Sequence, residues 1–462
     1  MRRTLARFGP GLFLIGYLFW FAGGGLGARF TGDDLMNLYF HLTPSFARLV
    51  LSNLTYWSPA YRPMGGVVYV TVYRLLGFHP LPFRVVCFAL LLGNLVLLYG
   101  VCLRLTGRRE AALLATLLVS YHAWLVDLYY SSGTIYELLC FAFYFAALYY
   151  YLGIRRAGAM LNRRQWLAFL ALYICALNSK ELAVTLPLSV ACYEWIWHRP
   201  ERGVRAWARW LVREGRGAAI SALITIPYVI GKLTGPESLT ANPAYRPAIS
   251  ASRYLHTFPL YLNVLFYQNH FFRAGNTVLL MLAMLALALW RRSRPLLFAW
   301  FFVLFSVLPF IFLPHYSGFF IYLPMAGWAL YAATALVMLR EKAAPAFPPA
   351  VLFLAVALAL GPLHARESRK TMQVFTSARL PTEEMIAGLE RVQPALPHGA
   401  RLFFQDDPFP QRTFSLVFLA QLFYHDSTLQ VARAKDGEAM SGRYDAVFRW
   451  DDGKLVRVLP PL

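Results

Sequence analysis

Five acidic residues in the first 363 positions stand beside apolar segments rather than in basic loops. They are Asp33, Asp34, Asp127, Glu137 and Glu181. Ionisable groups next to hydrocarbon are costly, so these positions are candidates for function. Asp33 and Asp34 follow a glycine just after the first apolar run, and either carboxylate has the chemistry of a general base. The alternative is helix capping, because Asp also stabilises a first helical turn. We favour Asp33 for chemistry and Asp34 for capping.

A second group of residues supplies positive charge at the same predicted face. Arg62, between Tyr61 and a proline, has the donors to bind a phosphate with two hydrogen bonds. Its alternative is a surface arginine. Lys180 is the only basic residue predicted in a short outer loop, and its alternative is a structural pair with Glu181. Arg253 is the third candidate for phosphate binding.

The remaining candidates for a substrate cavity lie in or beside apolar segments: Tyr61, Glu181, His122, Asp127, His315, Tyr316 and Tyr322. For His122 and Asp127 the alternative is a packed polar contact within a span. A histidine such as His315 is more often a structural residue than a catalyst. Together these carboxylates, cations and aromatic rings suit chemistry on a phosphate-linked substrate embedded in lipid. The five cysteines have no metal-ligand spacing, which favours buried apolar roles.

The composition identifies the elements that must position these residues. Of the 462 residues 58% are hydrophobic and 15% are charged, whereas a soluble protein has about 25% charged residues. This excludes a purely soluble enzyme, a disordered chain and an ordinary nucleic-acid binder. Nearly all of the net charge of +21 resides in the first 363 residues, because the 13 basic and 12 acidic residues from Arg366 onward nearly cancel. Such charges mark membrane topology and lipid phosphates rather than nucleic acid.

Apolar runs long enough to span a bilayer predict a polytopic α-helical membrane protein with about eleven transmembrane helices. The runs cover about 8–28, 82–103, 111–130, 135–153, 166–178, 182–197, 217–233, 276–290, 295–313, 318–339 and 347–363. Lys and Arg concentrate in alternate loops, which places the N-terminus in the cytoplasm. Two longer loops, 29–81 and 234–275, then lie outside. We therefore expect a transmembrane domain over 1–363.

The tail has ordinary composition and predicts a small periplasmic domain over 364–462, of the α/β or α+β class. Residues 401–404 and 446–450 alternate between apolar and polar in the manner of strands. Residues 383–392 have the pattern of an amphipathic helix.

Several of these motifs together give the sequence a family resemblance. It resembles the GT-C class of integral-membrane glycosyltransferases, and more narrowly the membrane part of bacterial relatives of protein O-mannosyltransferases that carry tetratricopeptide tails. The resemblance covers about residues 10–340. It rests on Asp33-Asp34, Tyr61-Arg62-Pro63, the run SKELAVTLP from Ser179 to Pro187, the Tyr322-Leu323-Pro324 motif, and Tyr121-His122, where Ala123 replaces a proline that these relatives often have. The tail departs from that family, because it has no 34-residue helical repeats.

The resemblance implies transfer of a sugar from a polyprenyl-phosphate donor to an acceptor hydroxyl at the periplasmic face of the inner membrane. Asp33 or Asp34 would be the base, the anomeric carbon would invert, and Arg62 and Lys180 would stabilise the leaving phosphate. A lipid monophosphate leaves without an obligatory metal, so no metal and no other cofactor are expected. The acceptor is a glycan, a lipid or a protein. The competing interpretations are a lipid or polysaccharide transporter or flippase, and a non-catalytic envelope assembly protein on the same fold.

Overall fold

The computed structural model describes residues 2–58, 60–234, 238–314, 318–377, 379–440 and 443–458. The predicted site residues His315 and Tyr316 lie outside these ranges. The α-helices in the described ranges are α1 (Arg2–Ala22), α2 (Gly32–Leu42), α3 (Phe46–Leu54), α4 (Pro63–Leu76), α5 (Pro80–Thr106), α6 (Arg109–Ser120), α7 (Val126–Tyr130), α8 (Ile135–Arg156), α9 (Arg163–Ser179), α10 (Leu186–Trp197), α11 (Val204–Arg213), α12 (Arg216–Leu233), α13 (Ala251–Leu265), α14 (Ala274–Trp290), α15 (Arg294–Phe305), α16 (Leu308–Ile311), α17 (Tyr322–Ala343), α18 (Pro349–Ser377), α19 (Thr382–Val392) and α20 (Ser415–Phe423).

The helices confirm the multi-pass membrane class. Seven helical stretches in the described chain are long and apolar enough to cross a bilayer, and a bent pair, Arg109–Ser120 with Ala123–Tyr130, makes up to eight. The seven begin at Gly9, Pro80, Ser132, Arg216, Arg294, Gly318 and Pro349. The predicted spans 166–178, 182–197 and 276–290 fall on α9, α10 and α14, which are helical but shorter. Eleven crossings therefore stay a prediction.

Ion pairs distinguish two ends of the helix bundle. At one end, Asp34 pairs with Arg84 and Arg29 pairs with Glu383 of the tail. We call this the tail end. At the other end, turns rich in arginine hold pairs such as Arg340 with Glu110. We call this the arginine end. Helix α5 runs between them, since Arg84 lies near its first residue and Gly107, in a left-handed conformation, terminates it.

The tail forms a four-stranded sheet with two helices, in agreement with the predicted small α/β or α+β domain. The strands are β1 (Arg401–Phe404), β2 (Gln430–Arg433), β3 (Ala446–Asp451) and β4 (Lys454–Arg457), in the order β2-β1-β3-β4. Strand β1 pairs in parallel with β2 and β3, and β3 pairs antiparallel with β4. Residues 402–404 of β1 and 446–448 of β3 are buried in succession, as in strands that are covered on both faces. The predicted strands at 401–404 and 446–450 and the predicted helix at 383–392 are all present.

The tail packs directly on the membrane part. Helix α18 is continuous across residue 363, so the boundary predicted there falls inside a helix. Thr382 donates a hydrogen bond to the Phe30 carbonyl at 3.0 Å. Tyr39 of α2 stacks on Phe418 of α20, with ring centroids 4.7 Å apart. The first contact places the start of α19 beside the N-terminus of α2, and the second places α20 against the later part of α2.

Candidate functional site

Asp34 is saturated with structural contacts. Thr31 is the N-cap of α2, and Asp34 completes a capping box by accepting from the Thr31 amide at 2.8 Å. One carboxylate oxygen accepts from Ser131 Oγ and Ser132 Oγ, both at 2.9 Å, and from the Gly133 amide. The other oxygen also pairs with Arg84 at 2.8 Å. Since the side chain is 1% exposed and fully bonded, Asp34 has no free lone pair for a substrate proton.

Asp33 is the opposite case. Its side chain is exposed into a cavity of about 460 Å³ at the tail end. Within the described chain, no hydrogen bond or ion pair reaches its carboxylate. Burial within the cleft raises the pKa of Asp33, and the nearby carboxylates of Asp34 and Glu137 raise it further. A free carboxylate with a raised pKa is a stronger base than an ordinary surface aspartate.

Asp127 faces the same cavity from α7. The short helix ends at Tyr130, and the Asp127 carbonyl accepts from the Ser131 amide at 2.9 Å. Its carboxylate, like that of Asp33, has no partner among the described residues. Gly133 lets the two loops approach, because a Cβ there would lie 2.9 Å from the Asp33 Cβ. The fold therefore brings two unpaired carboxylates to one cavity.

The cavity wall opposite these carboxylates comes from the end of α18 and the segment after it. Its lining residues there are Met372, Phe375, Thr376, Arg379 and Leu380. Arg29 also lines the cavity, but it pairs with Glu383 at 2.7 Å and with Glu384. Arg379 is exposed and has no ion pair in the part of the chain that the structure describes. Among the described residues, the cavity thus joins two carboxylates and a guanidinium that have no ion pair, although the charge of Arg379 helps to lower the pKa of nearby Glu384.

Arg62 and Lys180, the predicted phosphate ligands, are held in ion pairs instead. Arg62 binds Glu181 through two hydrogen bonds of 3.1 and 3.0 Å, and Lys180 pairs with Glu137 at 2.6 Å. Burial alone would raise the pKa of Glu181, but Arg62 and Lys180 outweigh it and lower the pKa to about 2. Neither cation lines the cavity.

The pairing considered for Lys180 and Glu181 is wrong, and the backbone explains why. Lys180 is extended, with φ −158° and ψ 148°. Adjacent side chains on extended backbone point to opposite sides. Lys180 therefore turns to Glu137 and Glu181 turns to Arg62. Lys180 does not line the cavity itself. Its ammonium lies 5.6 Å from the ring centroid of Phe319, which does line the cavity.

The other predicted site residues that the structure describes do not line the cavity. His122 is buried and stacks on Tyr267 at 4.3 Å, which agrees with the alternative of a packed contact. Tyr322 is buried and accepts from Asn94 at 3.2 Å. Tyr61 accepts from Arg62 at 2.7 Å. Arg253 donates to the Leu313 carbonyl at 2.7 Å.

Sequence reasoning missed Arg29 and Arg379. Arg29 follows the first apolar run directly, on the side where basic residues are rare, and that position was a usable signal. Arg379 lies in the tail and carried no signal of its own.

Two comparisons with known proteins gave no match: no family model matches the sequence, and no curated protein matches it. In the described residues, no group of three or more His, Cys, Asp or Glu side chains is placed to hold a metal ion.

Proposed function

We propose that this chain is a membrane glycosyltransferase. It moves a sugar from a polyprenyl-phosphate donor to an acceptor hydroxyl at the periplasmic face of the inner membrane. In this topology the chain crosses eleven times, with the N-terminus in the cytoplasm and the tail outside. The observation that carries the proposal is the contrast between neighbours: Asp34 is fully bonded, while Asp33 is free and faces a cavity at the tail end.

The chemistry assigns Asp33 as the base. Its carboxylate takes the proton of the acceptor hydroxyl while that oxygen forms a bond to the anomeric carbon. The bond from the anomeric carbon to the phosphate oxygen breaks at the same time, so the configuration inverts. The electron pair leaves with the lipid phosphate. An inverting transfer needs only this one base, because no covalent sugar–protein intermediate forms.

The leaving phosphate needs a cation, and Arg379 is the free one in the cavity. A guanidinium binds phosphate with two parallel hydrogen bonds and stays charged at every relevant pH. Arg62 and Lys180 instead form ion pairs with Glu181 and Glu137, and Lys180 lies beside Phe319 of the cavity wall. Asp127, the second free carboxylate, is placed to accept hydrogen bonds from sugar or acceptor hydroxyls. This assignment moves the phosphate role from Arg62 and Lys180 to Arg379.

The test uses the full chain in nanodiscs with a panel of polyprenyl-phosphate sugars as donors and with lipid, glycan and protein fractions of the cell envelope as acceptors. Release of polyprenyl phosphate is followed by mass spectrometry. We expect the wild type to consume one donor and Asp33→Asn to turn over about 10²–10⁴-fold more slowly. The control is Asp452→Asn, an exposed tail residue with φ 42°, a conformation that Asn tolerates.

Two results contradict the proposal at different levels. Wild-type turnover by Asp33→Asn would remove Asp33 as the base. No donor consumption by the wild type across the panel would remove the glycosyltransferase function itself.

A further inference from the structure

Helix α11 at the arginine end buries none of its residues. It joins α10 to α12 and carries the sequence VRAWARWLVR. A helix of ten residues is too short to be stable in water on its own propensity, so contacts beyond the helix itself must favour it.

The two faces of α11 differ sharply. Val204, Trp207 and Leu211 lie at helical spacing on one face, and they are 87%, 46% and 55% exposed. Arg205, Arg209 and Arg213 repeat every four residues and share another face. At about 100° per residue the two faces are nearly opposite. Such a distribution suits a helix that lies in the interface plane of a membrane.

The surrounding structure fixes where α11 lies. Trp210 donates from its indole nitrogen to the His198 carbonyl at 2.6 Å, and His198 lies 2.8 Å from the buried Glu194. At the other end, Gly215 makes a tight turn, since a Cβ there would lie 3.1 Å from Leu211 Cα. Helix α12, one of the helices able to cross a bilayer, starts at the next residue. The helix α11 is therefore held where an apolar span begins.

Further cations line a groove at the end of α10, next to this anchor. Arg199 follows His198 and lines a groove of about 200 Å³ together with Arg292 and Arg294. Trp195 and Leu297 supply apolar walls to the same groove. None of the three arginines has a carboxylate partner in the described ranges. Unpaired cations beside apolar walls match the two parts of a phospholipid, its headgroup and its acyl chain.

We propose that α11 lies in the membrane surface at the arginine end, and that Arg205, Arg209 and Arg213 bind the headgroups of anionic phospholipids. The bilayer covers Val204, Trp207 and Leu211, which a soluble anionic partner would leave in water. This inference is independent of the proposed function, because it concerns the end of the molecule away from the cavity.

The test measures lipid binding to the detergent-purified full chain by native mass spectrometry. Phosphatidylglycerol and phosphatidylcholine are the two probes. For the triple variant Arg205→Gln, Arg209→Gln, Arg213→Gln we expect phosphatidylglycerol binding at least about tenfold weaker and phosphatidylcholine binding unchanged. The matched control changes three other exposed arginines of the arginine end to Gln, namely Arg156, Arg163 and Arg164.

Each outcome decides the proposal. Equal losses in the test and control variants would mean that overall charge, not α11, attracts the lipid. No preference of the wild type for phosphatidylglycerol would overturn the proposal directly. The triple Arg→Lys variant keeps the charge and should keep most of the preference. A folded Lys variant that binds as weakly as the Gln variant would also contradict it.

Discussion

The two ends of the bundle treat their carboxylates differently. At the arginine end, Glu194 is completely buried and receives hydrogen bonds from Arg155, at 2.7 and 2.8 Å, and from Tyr151 at 2.8 Å. At the tail end, Asp34 is bonded in the same way, yet Asp33 and Asp127 have no partner in the described structure. A buried charge must be matched, whereas a charge facing a solvated cavity need not be. The unmatched carboxylates therefore mark the place where a substrate can supply the missing partner.

Removing Arg155 should have the largest effect on stability. Arg155→Ala leaves the buried Glu194 with Tyr151 and His198 but without its guanidinium partner, and removing one partner of a buried ion pair typically costs about 3–5 kcal/mol. Turnover per folded molecule should stay near wild type, because the cavity lies at the other end. Denaturant titration in mild detergent measures the first quantity and donor consumption the second. The control is Arg156→Ala, an exposed neighbour. If Arg155→Ala and Arg156→Ala lost the same free energy of unfolding, the buried pair at the arginine end would not be important for stability.

Arg379→Gln should affect chemistry without affecting stability. Losing a charge-assisted contact to the leaving phosphate costs about 2–4 kcal/mol of transition-state stabilisation. Turnover should therefore fall by about 30-fold or more, with an unchanged unfolding midpoint because Arg379 has no ion pair in the described chain. The matched control is Arg369→Gln, on the exposed surface of α18, where the side chain bonds only its own helix. Wild-type turnover of Arg379→Gln would return the phosphate role to another cation.

Asp34→Asn should show the reverse pattern. The amide can keep its hydrogen bonds to Ser131 and Ser132, and Arg84 keeps its bonds to the carbonyls of Ala28 and Arg29. The new NH2 group cannot accept from Arg84 or from the Thr31 amide, and the loss of these two bonds should destabilise the protein by about 1–3 kcal/mol. Turnover of the folded fraction should change far less than in Asp33→Asn. Thermal unfolding and donor consumption of Asp34→Asn and Asp33→Asn test this prediction. If Asp34→Asn were stable but inactive, Asp34 would be the base and Asp33 the structural residue.

The smallest effect is the pH dependence that follows from Asp33. Its raised pKa places the acid limb of turnover above the ordinary carboxyl pKa of about 3.9. Activity should fall as the pH falls through that raised value.

The same pKa shift affects stability. The folded state binds the Asp33 proton more tightly than the unfolded state, so the stabilising contribution is present at low pH and is lost as the pH rises. Asp33→Asn should then be slightly more stable than wild type at neutral pH, and equally stable below the unfolded pKa. If Asp33→Asn had a lower unfolding midpoint than wild type at neutral pH, the Asp33 carboxylate would have a stabilising partner.

The sequence determined the class of the protein and the position of several local elements. Apolar composition dictated helices long enough for a bilayer, and short apolar runs located β1 and β3, because both patterns are properties of neighbouring residues. The pair Asp33-Asp34 also stood out, since a carboxylate beside an apolar run is costly wherever the chain folds. The number of membrane crossings was harder to predict from the sequence, because α9, α10 and α14 are apolar but shorter than a membrane span.

Only the tertiary structure decided which carboxylates are free and which cations are paired. Asp34 is bonded because residues 131–133 pack against the start of α2, and those partners are distant in sequence. Lys180 pairs with Glu137 rather than its neighbour because α8 lies on the side to which its side chain points. Arg379 enters the cavity because α18 extends to the tail end. Hydropathy and spacing describe what each residue prefers, but the partner that satisfies a charge is set by packing between segments far apart in the chain.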